Sequence, residues 1–293
     1  MTYLRDEIAS QPAVWERALT VDTAALPAAG ERVAVIGCGT SYYMAQAYAA
    51  LRESAGQGET DAFPASEFPA ARAYDRVVAL TRSGTTTEVL AALDRCTMPT
   101  VAVTADPATP ISAAADKVMA LDFADERSVV QTRFATTALV VLRASLGESL
   151  ADLPSAGTAA LTEPLDESLL GAEQFTFLGT GWTIGLANEA ALKLREAAQR
   201  WTESYHAMEY RHGPISIAAP GRVVWLFGAA PAGLVDEVRR TGAHVEQSAG
   251  DPLASLVRAH RLAEAVAEAR GLDPDRPRNL DRSVILTGPP PRI

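Results

Sequence analysis

The feature that most constrains this chain is a recurring unit. A short, continuous apolar run is followed by a turn rich in Gly, Ser and Thr, and then by a helical pattern. Arg32-Val33-Ala34-Val35-Ile36, Arg76-Val77-Val78-Ala79-Leu80, Thr100-Val101-Ala102-Val103-Thr104 and Lys117-Val118-Met119-Ala120-Leu121 are four such runs. They lack the alternation of a half-solvated strand, as expected of strands buried on both faces. Helical patterns from Tyr43 to Leu51, Glu88 to Leu93 and Thr132 to Leu146 fall between or after them. Strands alternating with helices predict an α/β fold with a parallel sheet covered on both sides.

The pattern begins again further on. Gln174–Leu178 and Arg222–Phe227 read as strands, Ile184–Arg200 and Leu234–Arg240 as helices. Only a stub, from Val245 to Pro252, stands where the first half has a further strand. Two lobes are therefore expected: a first domain over residues 1–150, a linker over 151–170, and a shortened second domain over 171–293. The opening helix is expected to start at Gln11-Pro12, with Pro12 in its first turn and Val14, Trp15, Ala18 and Leu19 on its apolar face.

Composition narrows the function. The 293 residues carry 36 acidic and 26 basic side chains, a net charge of −10, and 6% are aromatic. An acidic chain without a basic run repels nucleic acid and anionic membranes. Two cysteines, Cys38 and Cys96, make no disulfide scaffold and fit a reducing compartment. The N-terminus lacks the charged and apolar regions of a signal peptide, and no apolar stretch reaches the ~20 residues of a membrane span. A cytoplasmic protein without nucleic-acid or membrane partners is expected. The four histidines show no metal-ligand spacing with one another or with the cysteines, and neither a metal nor a cofactor is expected. The only lysines are Lys117 and Lys193.

Four places carry candidate chemistry. Gly37-Cys38-Gly39-Thr40-Ser41 follows the first strand without the G-x-G-x-x-G spacing of a dinucleotide fold, which disfavours a nicotinamide enzyme. It does set backbone N–H groups and two hydroxyls at a helix start, where anions bind. Thr81-Arg82-Ser83-Gly84-Thr85-Thr86-Thr87 concentrates five hydroxyls and a guanidinium, more than capping requires. Such a turn suits a phosphate monoester, and without a P-loop lysine it does not suit a nucleoside triphosphate. In the second half, Glu189, Lys193, Glu196 and Arg200 recur at i, i+4, i+7 and i+11 on one helical face. They are either ion pairs on a solvated surface or a general base with an electrostatic partner. His212, before Gly213-Pro214 and expected in a non-helical loop, is a candidate acid or base.

Taken in order, these motifs resemble a known family. Gly37-Cys38-Gly39-Thr40-Ser41, Ser83-Gly84-x-Thr86, Ala190-Ala191-Leu192-Lys193-Leu194-Arg195-Glu196, Glu209-x-x-His212-Gly213-Pro214 and Gly271-Leu272-Asp273-x-Asp275-x-Pro277-Arg278-Asn279-Leu280 are similar to the double-SIS (sugar isomerase) proteins. The likeness is to the isomerase half of glutamine–fructose-6-phosphate aminotransferase and to stand-alone relatives such as glucosamine-6-phosphate deaminases.

The resemblance implies two flavodoxin-like lobes and a phosphosugar at the carboxyl ends of the first sheet. Thr40, Ser41, Arg82, Ser83 and Thr86 would hold the phosphate; Gly39, Val130 and Gln131 would contact the sugar. Glu196 would move a proton between C1 and C2 beside Lys193. His212, from a neighbouring subunit, would open the ring in a homodimer with shared sites. Arg282 stands where the synthase has an imine-forming lysine, and arginine stays protonated. Lys193 and Arg282 are left to stabilise oxyanion charge. The chain is expected to act without glutamine-dependent synthesis, as an aldose–ketose isomerase or deaminase of a hexose 6-phosphate or amino-hexose 6-phosphate. A sensor that kept the pocket and lost the chemistry is the alternative. The tail Gly288-Pro289-Pro290-Pro291-Arg292-Ile293 runs past the family's expected end.

Overall fold

The computed structural model describes residues 2–288; the Pro-rich end, Pro289 to Ile293, lies outside the described residues. In chain order the elements are α1 (Tyr3–Ala18), β1 (Val33–Gly37), α2 (Thr40–Ser54), β2 (Thr60–Pro64), β3 (Arg76–Leu80), α3 (Thr87–Asp94), β4 (Thr100–Thr104), α4 (Ile111–Ala114), β5 (Lys117–Ala120) and α5 (Arg133–Ser145). They continue with α6 (Leu153–Thr162), α7 (Glu167–Leu170), β6 (Gln174–Gly179), α8 (Thr183–Ala198), β7 (Trp201–His206), β8 (Arg222–Phe227), α9 (Leu234–Arg240), β9 (His244–Gln247) and α10 (Pro252–Ala269).

The strands form two parallel sheets, ordered β2-β1-β3-β4-β5 and β7-β6-β8-β9. The order is the same in both, less the last strand of the second, and is that of a flavodoxin-like, doubly wound sheet. In the central strands β1, β4 and β6 every residue is buried, including Thr100, Thr104, Gln174 and Thr176, so these strands lack exposed polar positions. The edges differ. β2, with Asp61 and Pro64, and β7, with Glu203 and Ser204, are only half-buried, and neither stood out as a strand by composition. The stub around Val245 contains the four-residue strand β9, and an unexpected 18-residue helix, α10, follows it.

Two further expectations change. The opening helix starts at Tyr3, eight residues before Gln11, and takes Pro12 into its interior. Leu4, Ile8, Trp15 and Ala18 are buried along it, so packing outweighs the hydrogen bond that a mid-helix proline removes. The stretch expected as a linker folds into α6 and α7, with Leu153, Ala160 and Leu169 buried.

The chain divides into two compact units. The five-stranded unit comprises Ala13–Arg127, Gln131–Ala151 and the C-terminal segment from Asp281. The four-stranded unit comprises the segment up to Pro12, Ser128–Val130 and Asp152–Leu280. Each thus includes a piece of chain that its place in the sequence would assign to the other. Among the described residues, no helix is long and apolar enough to cross a membrane.

Candidate phosphosugar site

In an open doubly wound sheet, ligands bind beyond the carboxyl ends of the strands where the strand order reverses. In the five-stranded unit that point lies between β1 and β3, so the turns 38–41 and 81–87 flank it. These are the two turns singled out by their glycines and hydroxyls. Gly39, with φ of 53°, precedes α2, whose first turn buries Thr40 and Ser41. Gly84, with φ of +64°, is required: a Cβ there would lie 2.0 Å from Oγ1 of Thr109.

The 81–87 turn is covered by the chain's own C-terminal segment. The Ser283 hydroxyl lies 3.1 Å from that of Ser83, 2.9 Å from that of Thr85 and 3.4 Å from that of Thr86. The backbone joins in, with Thr87 N–H donating to the Val284 carbonyl at 3.1 Å and Leu286 N–H to the Thr87 hydroxyl at 2.9 Å. Buried Arg82 donates to the carbonyl of Arg282 at 3.1 Å and lies 3.8 Å from the carboxylate of Glu126. Glu126 accepts from the N–H groups of Thr132, Arg133 and Phe134, so its charge sits at the positive start of α5.

Arg282 itself pairs with Asp125 at 2.5 Å and donates to the Glu126 carbonyl. Its guanidinium is thereby directed to acidic and carbonyl oxygens. Ser283 was not among the expected site residues; its position directly after Arg282 was the available signal. Gln131 is half-buried, and its Nε2 is buried without a hydrogen-bond partner. Val130, expected to contact the sugar, is 1% exposed, and its carbonyl accepts from the Ser128 hydroxyl at 2.8 Å. Its side chain is core.

In the four-stranded unit, α8 carries the candidate base. The solvated reading of its charged face does not hold: Glu189 and Lys193 are buried, with side chains 0% and 1% exposed. Lys193 Nζ lies 2.5 Å from Glu196 Oε2 and 3.9 Å from Glu189 Oε1, and Glu196 is 19% exposed. Glu196 is thus the member of the set that reaches solvent. Arg200 does not belong to it, because α8 ends at Ala198 and Gln199 turns left-handed at φ of 51°. Burial instead pushes the Arg200 guanidinium down from its ordinary value.

His212 closes a 3-10 turn, Glu209–His212, rather than lying in an irregular loop. Buried Tyr210 anchors the turn among Leu178, Val224 and Leu234, and desolvation pushes its phenol up to about 12. Arg211 pins the same turn through a bidentate pair with Glu237, at 2.7 and 3.0 Å. His212 itself is exposed. Among the described residues, no group of three or more His, Cys, Asp or Glu could hold a metal ion.

The match to known proteins follows this geometry. Residues 28–146, which include both turns at the switch point, match the model of the SIS domain. The chain spans about half the length of the curated relatives it matches. It is 30% identical to glutamine–fructose-6-phosphate aminotransferase of Caulobacter vibrioides over 97% of this chain and 59% of that protein. To the same enzyme of Bradyrhizobium diazoefficiens it is 28% identical, over 87% of this chain and 52% of the other.

Solved structures share the fold over nearly the whole chain. Glucosamine-6-phosphate deaminase of Thermotoga maritima aligns over 97% of this chain and 100% of its own, with a TM-score of 0.81 and 24% identity. Tagatose-6-phosphate ketose/aldose isomerase of Escherichia coli aligns over 98% and 97%, with a TM-score of 0.82 and 20% identity.

Proposed function

We propose that the protein is an aldose–ketose isomerase, or an isomerising deaminase, of a hexose 6-phosphate or amino-hexose 6-phosphate. The observation that carries this reading is the Lys193–Glu196 pair, a buried ammonium 2.5 Å from a carboxylate that remains accessible. Proton abstraction next to a carbonyl needs a carboxylate at the carbon acid and a cation near the developing oxyanion. Binding alone requires neither.

In this reading the phosphate is held by the first turn of α2, with Thr40 and Ser41, and by Arg82, Ser83 and Thr86 after β3. His212 assists ring opening. The Glu196 carboxylate removes the proton from the carbon beside the carbonyl, giving an enediol, and returns it to the neighbouring carbon. Lys193 stabilises the oxyanion. With an aminosugar the corresponding enolamine becomes an imine, and water replaces its nitrogen to release ammonia. Arg282, directed to Asp125, forms no imine with the substrate, and this route needs no protein-bound imine. The exposure of His212, with exposed Met208 in the adjacent turn, supports a homodimer in which one subunit supplies the histidine to the other. The repeated strand order supports the four-stranded unit as a second SIS-like domain.

A second reading, a phosphosugar sensor without turnover, is favoured by Ser283, which already engages the hydroxyls of Ser83 and Thr86, two of those proposed for phosphate. Incubation of the full chain with fructose 6-phosphate and with glucosamine 6-phosphate in deuterium oxide separates the two. Deuterium at C1 or C2 is expected. Thermal stabilisation by both sugars without any exchange would establish the sensor instead.

A further inference from the structure

Behind Lys193 lies a chain of buried polar groups that the proposed chemistry does not use. His260, on α10, is fully buried, and α10 packs against α8. Its Nε2 is 3.0 Å from Oε2 of Glu189, and its Nδ1 is 3.2 Å from Nε2 of Gln11 on α1. A carboxylate only accepts, so Nε2 carries the ring proton. Nδ1 is then the acceptor for the Gln11 amide, and one neutral tautomer satisfies both contacts. Glu189 uses Oε2 for the imidazole. Its other oxygen, Oε1, is buried without a hydrogen-bond partner, 3.9 Å from the Lys193 ammonium.

One buried cation therefore lies between two carboxylates of different standing. Glu196, at 2.5 Å and partly exposed, is the partner that loses its charge if it acts as a base. Glu189, at 0% exposure, is beyond the reach of solvent and substrate. A buried ammonium left without a counter-charge sheds its proton more readily than it stays charged. We infer that Glu189, held in place by His260 and Gln11, is the positioning residue that keeps Lys193 charged whenever Glu196 is neutral. In the proposed isomerase this preserves the cation at the step where the oxyanion forms, and to that extent the inference rests on that reading. The ionisable groups along this chain are Glu189 and Glu196 from α8 and His260 from α10, with the Gln11 amide from α1.

The chain's two lysines make the test direct. Protein labelled with 15N at the lysine Nζ gives two signals, one from exposed Lys117 and one from Lys193. Glu196→Gln fixes the neutral form of the base. At pH 7.5, Lys193 in that variant is expected to keep its ammonium shift. In the double variant Glu189→Gln, Glu196→Gln it is expected to move to the amine position, while Lys117 and the far-ultraviolet circular dichroism stay unchanged as a control for folding. His260→Leu in the Glu196→Gln background should cause at least part of that move, and His260→Gln, which retains an N–H donor, should reverse it. An amine signal in Glu196→Gln alone, or an ammonium signal in the folded double variant, would overturn the inference. None of these readouts depends on turnover, so absence of deuterium exchange in the wild type would count against the isomerase reading alone.

Discussion

The hydroxyl of Ser283 stands 3.1 Å from that of Ser83, two hundred residues earlier in the chain, in a cluster completed by Thr85 and Thr86. A phosphate that uses the same donors must displace Ser283 from them. One net hydrogen bond is worth about 0.5–1.5 kcal/mol. Ser283→Ala is therefore expected to tighten binding of inorganic phosphate roughly 2- to 10-fold in calorimetric titration. Weaker binding would mean that Ser283 is itself a ligand.

Glu196→Gln should lower the rate of deuterium incorporation by about 10²–10⁴-fold, the usual worth of a positioned general base. Stabilisation of the protein by sugar phosphate should survive, because Glu196 is far in sequence and chemistry from the hydroxyl turn. Exchange at the wild-type rate in this variant removes Glu196 from the mechanism.

Gly179, at the end of β6, is a close-approach position. A Cβ there would lie 2.4 Å from the Thr183 carbonyl oxygen and 2.5 Å from the Ile184 nitrogen, at the start of α8. Both are backbone atoms and have little room to yield. Gly179→Ala is expected to cost about 2–3 kcal/mol in urea unfolding, the scale of overpacking in a tight interior. An unchanged midpoint would mean that α8 can shift away from its strand.

The thiols of Cys38 and Cys96 are pushed from 9.0 up to about 11, in both cases mainly by burial. Over that interval the unfolded chain loses protons that the folded chain keeps. Their contribution to stability is therefore complete below about pH 9 and falls as pH rises toward 11. Wild-type Tm should drop more steeply across this window than that of Cys38→Ala, Cys96→Ala. At pH 8, iodoacetamide should alkylate the native thiols far more slowly than the urea-unfolded ones.

The sequence by itself determined the parallel α/β class, because strands buried on both faces read as largely continuous apolar runs, as in β1, β3, β4 and β8. It also located the hydroxyl turn 81–87, since five hydroxyls around one arginine exceed any capping need. Edge strands β2 and β7 were hidden because a half-buried strand tolerates Asp, Glu and Pro. Tertiary structure alone decided that Lys193 is buried rather than solvated, since helical spacing places four charges on one face without revealing that α10 covers it. Only the fold, too, brings His260 to Glu189, 71 residues apart, and lays Ser283 on Ser83. Helical and strand periodicities report local faces; which faces meet is set by packing among segments distant in the chain, and no local pattern encodes that.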